Sequence, residues 1–239
     1  MTDYSQQVLP GEGADDYARY MRTDALLALQ RRPDQVVHRD ELLFQVVHQS
    51  TELWLKLACA ELGEATDRIA SGELDTAARL VGRASLSVQL VTGQLEMMRH
   101  LSPWDFQTIR TVLGHGSGAD SPGWRGIRWH GRRIGQVFAS LVARCGTDLV
   151  EVYRAEADSA ERRLAEALID WDERVSLWRA SHYKMATRIL GHGSVGTQGN
   201  AVDSLAKLVT YRFFPELWRV RGELTDTGPM GGRPAGVST

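Results

Sequence analysis

The side chains best placed to do chemistry are two histidines, His182 in LWRASHYKMATRIL (177–190) and His48 in LLFQVVHQSTELWLKL (42–57). Trp178, His182, Met185 and Ile189 recur at helical spacing, which puts His182 on the inward stripe of a helix. A neutral imidazole on such a face can ligate a metal or haem iron. It can equally be a core histidine hydrogen-bonded to a neighbour, the commoner fate of one standing alone. Phe44 and His48 lie at i and i+4 and share a helical face, so a ring and an imidazole are presented together. Arg110 follows Phe106 at the same spacing. Its guanidinium fork suits a bidentate carboxylate, and a surface ion pair is the other reading. No HExxH run and no cluster of His and Cys offers a copper or zinc site.

Three stretches carry a resemblance. FQVVHQSTELWLKL (44–57) resembles the distal-histidine helix of the tryptophan 2,3-dioxygenase family, WRASHYKMATRILG (178–191) its proximal haem-ligand helix, and RFFPELWRVRGEL (212–224) its C-terminal signature. The likeness runs in the same order over most of 17–224. It implies an all-α helical bundle enclosing a haem b, with His182 as the proximal iron ligand and His48 as the distal catalytic group. Phe44 would stack on the substrate's indole, and Phe106 would line the same pocket. Arg110 would hold a carboxylate, and Ser117-Gly118 would lie beside the haem edge. Thr197 is the counterpart of a threonine that contacts the amino-acid end, if one residue is inserted. Tyr17, Tyr20 and Met21 fall on one face of the first helix. They are either core or, as the resemblance implies, a cover over the indole supplied by a neighbouring subunit. The implied partners are O2 and a small aromatic substrate, within a homo-tetramer or dimer.

The implied reaction is insertion of O2 into the indole C2–C3 bond of tryptophan or a derivative, giving an N-formylkynurenine-type product. Departures from the family pattern keep a second chemistry open. Phe106 stands where a tyrosine is common, and one lost hydrogen bond to a charged group costs about 1.5–3 kcal/mol of binding. Ala119-Asp120-Ser121 replaces Phe-Gln-Ser, and Gln198-Gly199-Asn200 replaces Gly-Gly-Ser. The stretch 126–176 is shorter than in the family. These changes point to a mono-oxygenase of an indole or other aromatic compound, making an oxindole or a hydroxylated ring. A haem-binding protein without turnover is a third possibility.

Helices must position these groups. The sequence predicts them over about 15–30, 40–70, 73–101, 103–113, 127–144, 147–169, 171–190 and 201–214, with Pro215 opening the last. Leu74, Val81, Val88 and Leu95 repeat every seven residues, with Ala77, Ala84, Val91 and Met98 three positions later. This is an a/d seam, suited to a left-handed bundle or a subunit interface. Gly82 and Gly93 within it would permit close helix approach. Ser102-Pro103-Trp104-Asp105 is a helix start, with Ser as cap, Pro in first position and an acid in the first turn. The expected domain is 15–224, between a flexible segment (1–14) and a Gly/Pro-rich tail (225–239) expected to be disordered.

Composition excludes several classes. With 239 residues, 43% of them apolar, the chain can build one good-sized core or two small ones. A net charge of −2 gives no sign of a nucleic-acid or anionic-membrane partner. No apolar run is long enough for a membrane span. The two cysteines, Cys59 and Cys145, form no CxxC or CxxCH motif, so any haem is expected to be held through histidine, in a cytoplasmic setting.

Overall fold

The computed structural model describes residues 6–155 and 157–231. The outermost parts of the two expected flexible ends, 1–5 and 232–239, lie outside the described residues. The helices are α1 (Asp16–Met21), α2 (Thr23–Leu27), α3 (Glu41–Ser71), α4 (Leu74–Met98), α5 (Pro103–Arg110), α6 (Pro122–Cys145), α7 (Leu149–Arg154), α8 (Ala160–Leu190) and α9 (Pro215–Thr227). The only β pairing among the described residues is an isolated bridge, Val195 to Ala201. The chain is all-α, as its patterning predicts. No helix among the described residues is long and apolar enough to cross a membrane.

The heptad stripe of α4 is the spine of the core. All eight seam residues are buried, Ala77, Val81, Ala84 and Val88 completely. The seam packs within the chain, because α4 lies against both α3 and α8. α6 covers another face of α3 through Ile127, Ile134 and Phe138, all buried in the same cluster.

The glycines that permit close approach are on α6, not α4. A Cβ added at Gly82 or Gly93 would meet nothing within 4 Å, so within the chain these two make no close helix approach. At Gly123 it would lie 2.7 Å from Leu55 Cβ and from Glu52 Oε2, and at Gly126 2.7 Å from Cys59 Sγ. At Gly131 it would reach the Phe213 ring at 2.7 Å. These glycines let α6 settle directly on α3 and on the segment before α9.

Several helix boundaries differ from the sequence reading. α6 starts at Pro122, ahead of the predicted 127, because Ser121 caps the Trp124 N–H and Pro122 sits in the first turn. The predicted helix 15–30 is divided by Arg22, whose φ of 54° is left-handed. The stretch 147–169 breaks after α7, restarts where Ser159 caps the Arg162 N–H, and runs unbroken through His182 to Leu190. In place of the predicted helix 201–214 there is a 3-10 turn over Val202–Leu208. Ser102 and Pro103 start α5 as read, and Pro215 starts α9.

A buried carboxylate fastens α9. Asp172, 2% exposed, accepts from the Phe213 N–H at 2.9 Å, the Phe214 N–H at 3.3 Å and Trp218 Nε1–H at 2.9 Å. An anion satisfying N–H groups at a helix start is favoured by both hydrogen bonding and the helix dipole.

Gly123→Ala should destabilise the protein by about 1–3 kcal/mol, because Leu55 Cβ cannot give way as the end of a flexible side chain can. Gly82→Ala, facing open space on a helix, should stabilise it by about 0.5–1 kcal/mol. Denaturant midpoints of the two variants beside wild type check both signs.

Candidate active site

α3, α5 and α8 converge on a small second core made by Val47, Met98, Leu101 and Ile109. Phe44, Phe106 and Met185 pack against it, one from each of the three helices. Phe44 stands 6.0 Å from Phe106 and 4.1 Å from the His48 ring, centroid to centroid. One turn structure therefore presents Phe44 and His48 together, as the i, i+4 spacing predicts.

The two imidazoles differ in what their nitrogens do. His48 Nδ1 lies 2.7 Å from the Phe44 carbonyl oxygen. A carbonyl only accepts, so Nδ1 carries the hydrogen and the neutral ring leaves Nε2 as an acceptor. His48 is solvent-accessible, yet enough protein surrounds it that burial pulls its pKa down, opposed by the Phe44 bond and the nearby Glu52 charge.

His182 is half-buried, and its pKa falls to about 4, first from burial and then from the charge of His48. It is therefore neutral at pH 7, and His48 lies near enough for its charge to act on it. Neither ring nitrogen of His182 makes a hydrogen bond among the described residues. The alternative of a core histidine bonded to a neighbour is not what the geometry gives. Its partner is instead a ring: Trp178 stacks on it at 4.8 Å with 9° between planes, and Trp124 of α6 covers Trp178 at 3.7 Å.

Arg110, at the end of α5, donates to Gln107 Oε1 at 3.1 Å and to the Val195 carbonyl at 3.2 Å. It makes no ion pair among the described residues, so its remaining N–H groups are available to an anion. The glycine-rich loops 114–121 and 191–200 are tied to each other. Thr197 donates to the Gly116 carbonyl, and Gln198 bridges the His115 carbonyl and Asp120 Oδ2, the latter at 2.8 Å. Ser117 caps the Ala119 N–H, with Gly118 opening the short 3-10 turn that follows. Thr197 and Ser117 thus hold the loops in shape, and the Thr197 hydroxyl keeps lone pairs to accept from a ligand.

Tyr17, Tyr20 and Met21 are 66%, 76% and 53% exposed, so within one chain they do not pack over the cleft. His192 pairs with Asp203 at 3.1 Å on the surface. One other grouping, His38, Asp40 and Asp105, places three potential ligand atoms together. There, His38 Nδ1 accepts from the Asp40 N–H at 3.2 Å, so Nε2 carries a hydrogen rather than a lone pair toward Asp105. That tautomer is wrong for a metal.

Sequence reasoning missed what backs His182. Glu52 accepts from Ser121 Oγ and from the Gly123 N–H at 2.8 Å, and so fixes the start of α6 next to Trp124. The signal was present as Glu52 at i+4 from His48, but its partner lies 71 residues away.

Comparison with known proteins follows this geometry. The family model described as tryptophan 2,3-dioxygenase matches residues 3–136, more than half of the chain. A tryptophan 2,3-dioxygenase of Myxococcus xanthus (strain DK1622) is 29% identical over 270 aligned positions, covering 91% of this chain and 92% of that protein. One from Bacillus thuringiensis (strain Al Hakam) is 29% identical, covering 87% and 92%. One from Kineococcus radiotolerans is 29% identical over 277 positions, covering 94% of each. These aligned lengths exceed the 239 residues of this chain, so the relatives carry residues that this chain lacks. A span covering 91% of the chain must contain both His48 and His182. By the family model that it matches, this chain belongs to the tryptophan 2,3-dioxygenase family.

Proposed function

We propose that the protein is a haem b enzyme that inserts O2 into the indole C2–C3 bond of tryptophan or a tryptophan derivative, giving an N-formylkynurenine-type product. The observation that carries this reading is a pair of neutral histidines on α3 and α8, close enough for the charge of one to act on the other, each with an aromatic ring beside it. One has both ring nitrogens free of hydrogen bonds, and the other has a fixed tautomer. The residues fit a haem. His182 is deprotonated at neutral pH and unpartnered, as an iron ligand must be, and Phe44, Phe106 and Met185 supply an apolar lining. Bound there, haem iron would supply oxygen activation, which no side chain can provide.

The rest is the work of the chain's own residues. Phe44 offers a face for an indole, and the His48 Nε2 lone pair can accept from the indole N–H. Arg110, held by Gln107 and Val195, leaves N–H groups for a carboxylate. Thr197 can accept from the ammonium, and Ser117-Gly118 keeps its loop at the edge of the site. The names of the relatives support tryptophan as the substrate.

A mono-oxygenase of an indole or related aromatic is the second reading. It is favoured by Phe106, which has no hydroxyl for a carboxylate, and by the small Ala119 and acidic Asp120 in the neighbouring loop. Turnover of tryptophan by the reduced, haem-loaded protein under oxygen separates the two. A product heavier by two oxygen atoms supports ring cleavage, and a gain of one oxygen atom supports the alternative. A haem-replete protein that oxygenates neither an indole nor a related aromatic compound contradicts both.

A homo-oligomer, tetramer or dimer, belongs to the same reading. Leu42, Val46, Leu53 and Leu57 on α3 and Leu86, Leu90 and Met97 on α4 are exposed apolar residues at helical spacing. The exposed Tyr17, Tyr20 and Met21 could then cover a neighbour's cleft. A monomer in light scattering at micromolar concentration would contradict it. The free Cys59 and Cys145 accord with a cytoplasmic, reducing setting.

The tautomer of His48 makes a further outcome specific. An N1-methylated tryptophan lacks the donor that Nε2 would accept, so it should bind about 2- to 12-fold more weakly than tryptophan, the range of one net hydrogen bond. In His48→Ala the two ligands should bind alike. An equal preference for tryptophan in wild type and variant, read by spectral titration, would show that His48 does not meet the indole nitrogen.

A further inference from the structure

The indole of Trp178 lies one helical turn before His182 on α8, and its ring is nearly parallel to the imidazole, 9° between planes at 4.8 Å. This is offset stacking, which fixes both the separation and the rotation of two flat rings. Trp178 is also in contact with Trp124, 3.7 Å between ring centroids and 32° between planes. Trp124 cannot drift, because it sits in the first turn of α6, its own N–H bonded to Ser121 Oγ at 3.1 Å. Ser121 and the Gly123 N–H are in turn held by Glu52 of α3. The imidazole has no hydrogen bond among the described residues to set its rotation about Cβ–Cγ, so the stack is the interaction that can do so.

A second observation concerns the indole nitrogen. Trp178 Nε1 is buried and makes no hydrogen bond among the described residues. A buried donor without a partner is unfavourable, so tryptophan is not here for its N–H. What it offers over a smaller apolar side chain is a flat ring wide enough to meet both Trp124 and His182.

We propose that Trp178 is a positioning residue for His182, setting the plane of the imidazole and therefore the direction of its free lone pair toward the haem iron. This rests on the haem reading above. Trp178 touches neither substrate nor iron in this role; it acts through the imidazole.

The test removes the tether and keeps the stack. In His182→Gly, added imidazole can occupy the space of the lost ring, and its binding to haem is read from the Soret band. Placing Trp178→Leu in that background should weaken imidazole binding roughly 3- to 10-fold, the range of one aromatic stack. Trp178→Phe should restore most of it, since it keeps a ring and forfeits no hydrogen bond. A second measurement uses the chain with its own ligand. The iron–histidine stretching band of the ferrous protein should shift or broaden in Trp178→Leu and stay near wild type in Trp178→Phe. Trp178→Phe also guards against a leucine variant that fails to fold, because a phenylalanine protein with wild-type thermal stability must still show the intermediate imidazole affinity. Equal imidazole affinities in the three backgrounds, or an unchanged stretching band in a folded Trp178→Leu protein, would overturn the proposal while the haem reading stands. A wild-type chain that takes up no haem would bring down both together.

Discussion

The arrangement depends on one carboxylate. Glu52 on α3 receives the Ser121 hydroxyl and the Gly123 N–H, so the start of α6 is pinned to the helix that carries His48. Charge-assisted bonds at a helix N-terminus are among the stronger contacts a surface or half-buried acid can make. The contact is possible only because position 123 has no side chain: a Cβ there would collide with Leu55 and with Glu52 itself. Through Trp124 and Trp178 the same contact reaches His182, so α3, α6 and α8 are registered against one another at the cleft rather than only through the general core.

The chemistry of the cleft follows from keeping two imidazoles neutral. Burial does most of this, and for His182 the neighbouring His48 adds to it. Two protonated rings facing each other in a poorly hydrated space would repel, so the pair favours the uncharged state that a ligand nitrogen requires. The Phe44 carbonyl then breaks the symmetry. It takes the Nδ1 hydrogen of His48 and turns Nε2 into an acceptor, while His182 keeps both nitrogens uncommitted. One histidine is thereby suited to an N–H of a substrate and the other to a metal, although the residue type is the same.

Much of this was legible in the sequence, for identifiable reasons. The α4 seam is a seven-residue repeat, and every member is buried. Ser102-Pro103 and Pro215 are local start signals, and both helices begin there. Phe44 and His48 share a face because i, i+4 spacing leaves no other arrangement on a helix. What was not legible depends on long-range packing. Gly123, Gly126 and Gly131 look like helix breakers near a glycine-rich loop, and only the neighbours Leu55, Cys59 and Phe213 explain them. Gly82 and Gly93, read from the sequence as points of close helix approach, make none within the chain. The joining of 160–190 into one helix places Trp171, Asp172 and His182 on one rigid rod, whereas a boundary near 170 would have separated the anchor of α9 from the site. Arg22, left-handed between α1 and α2, carries no glycine or proline to announce the break.

The measurement that bears most directly on the account is the visible spectrum of the purified protein after haem reconstitution and reduction, wild type beside His182→Ala. The account predicts a Soret band in wild type, shifted by carbon monoxide, and its loss or displacement in His182→Ala. The same band in both proteins would mean that His182 is not the iron ligand and would contradict the account.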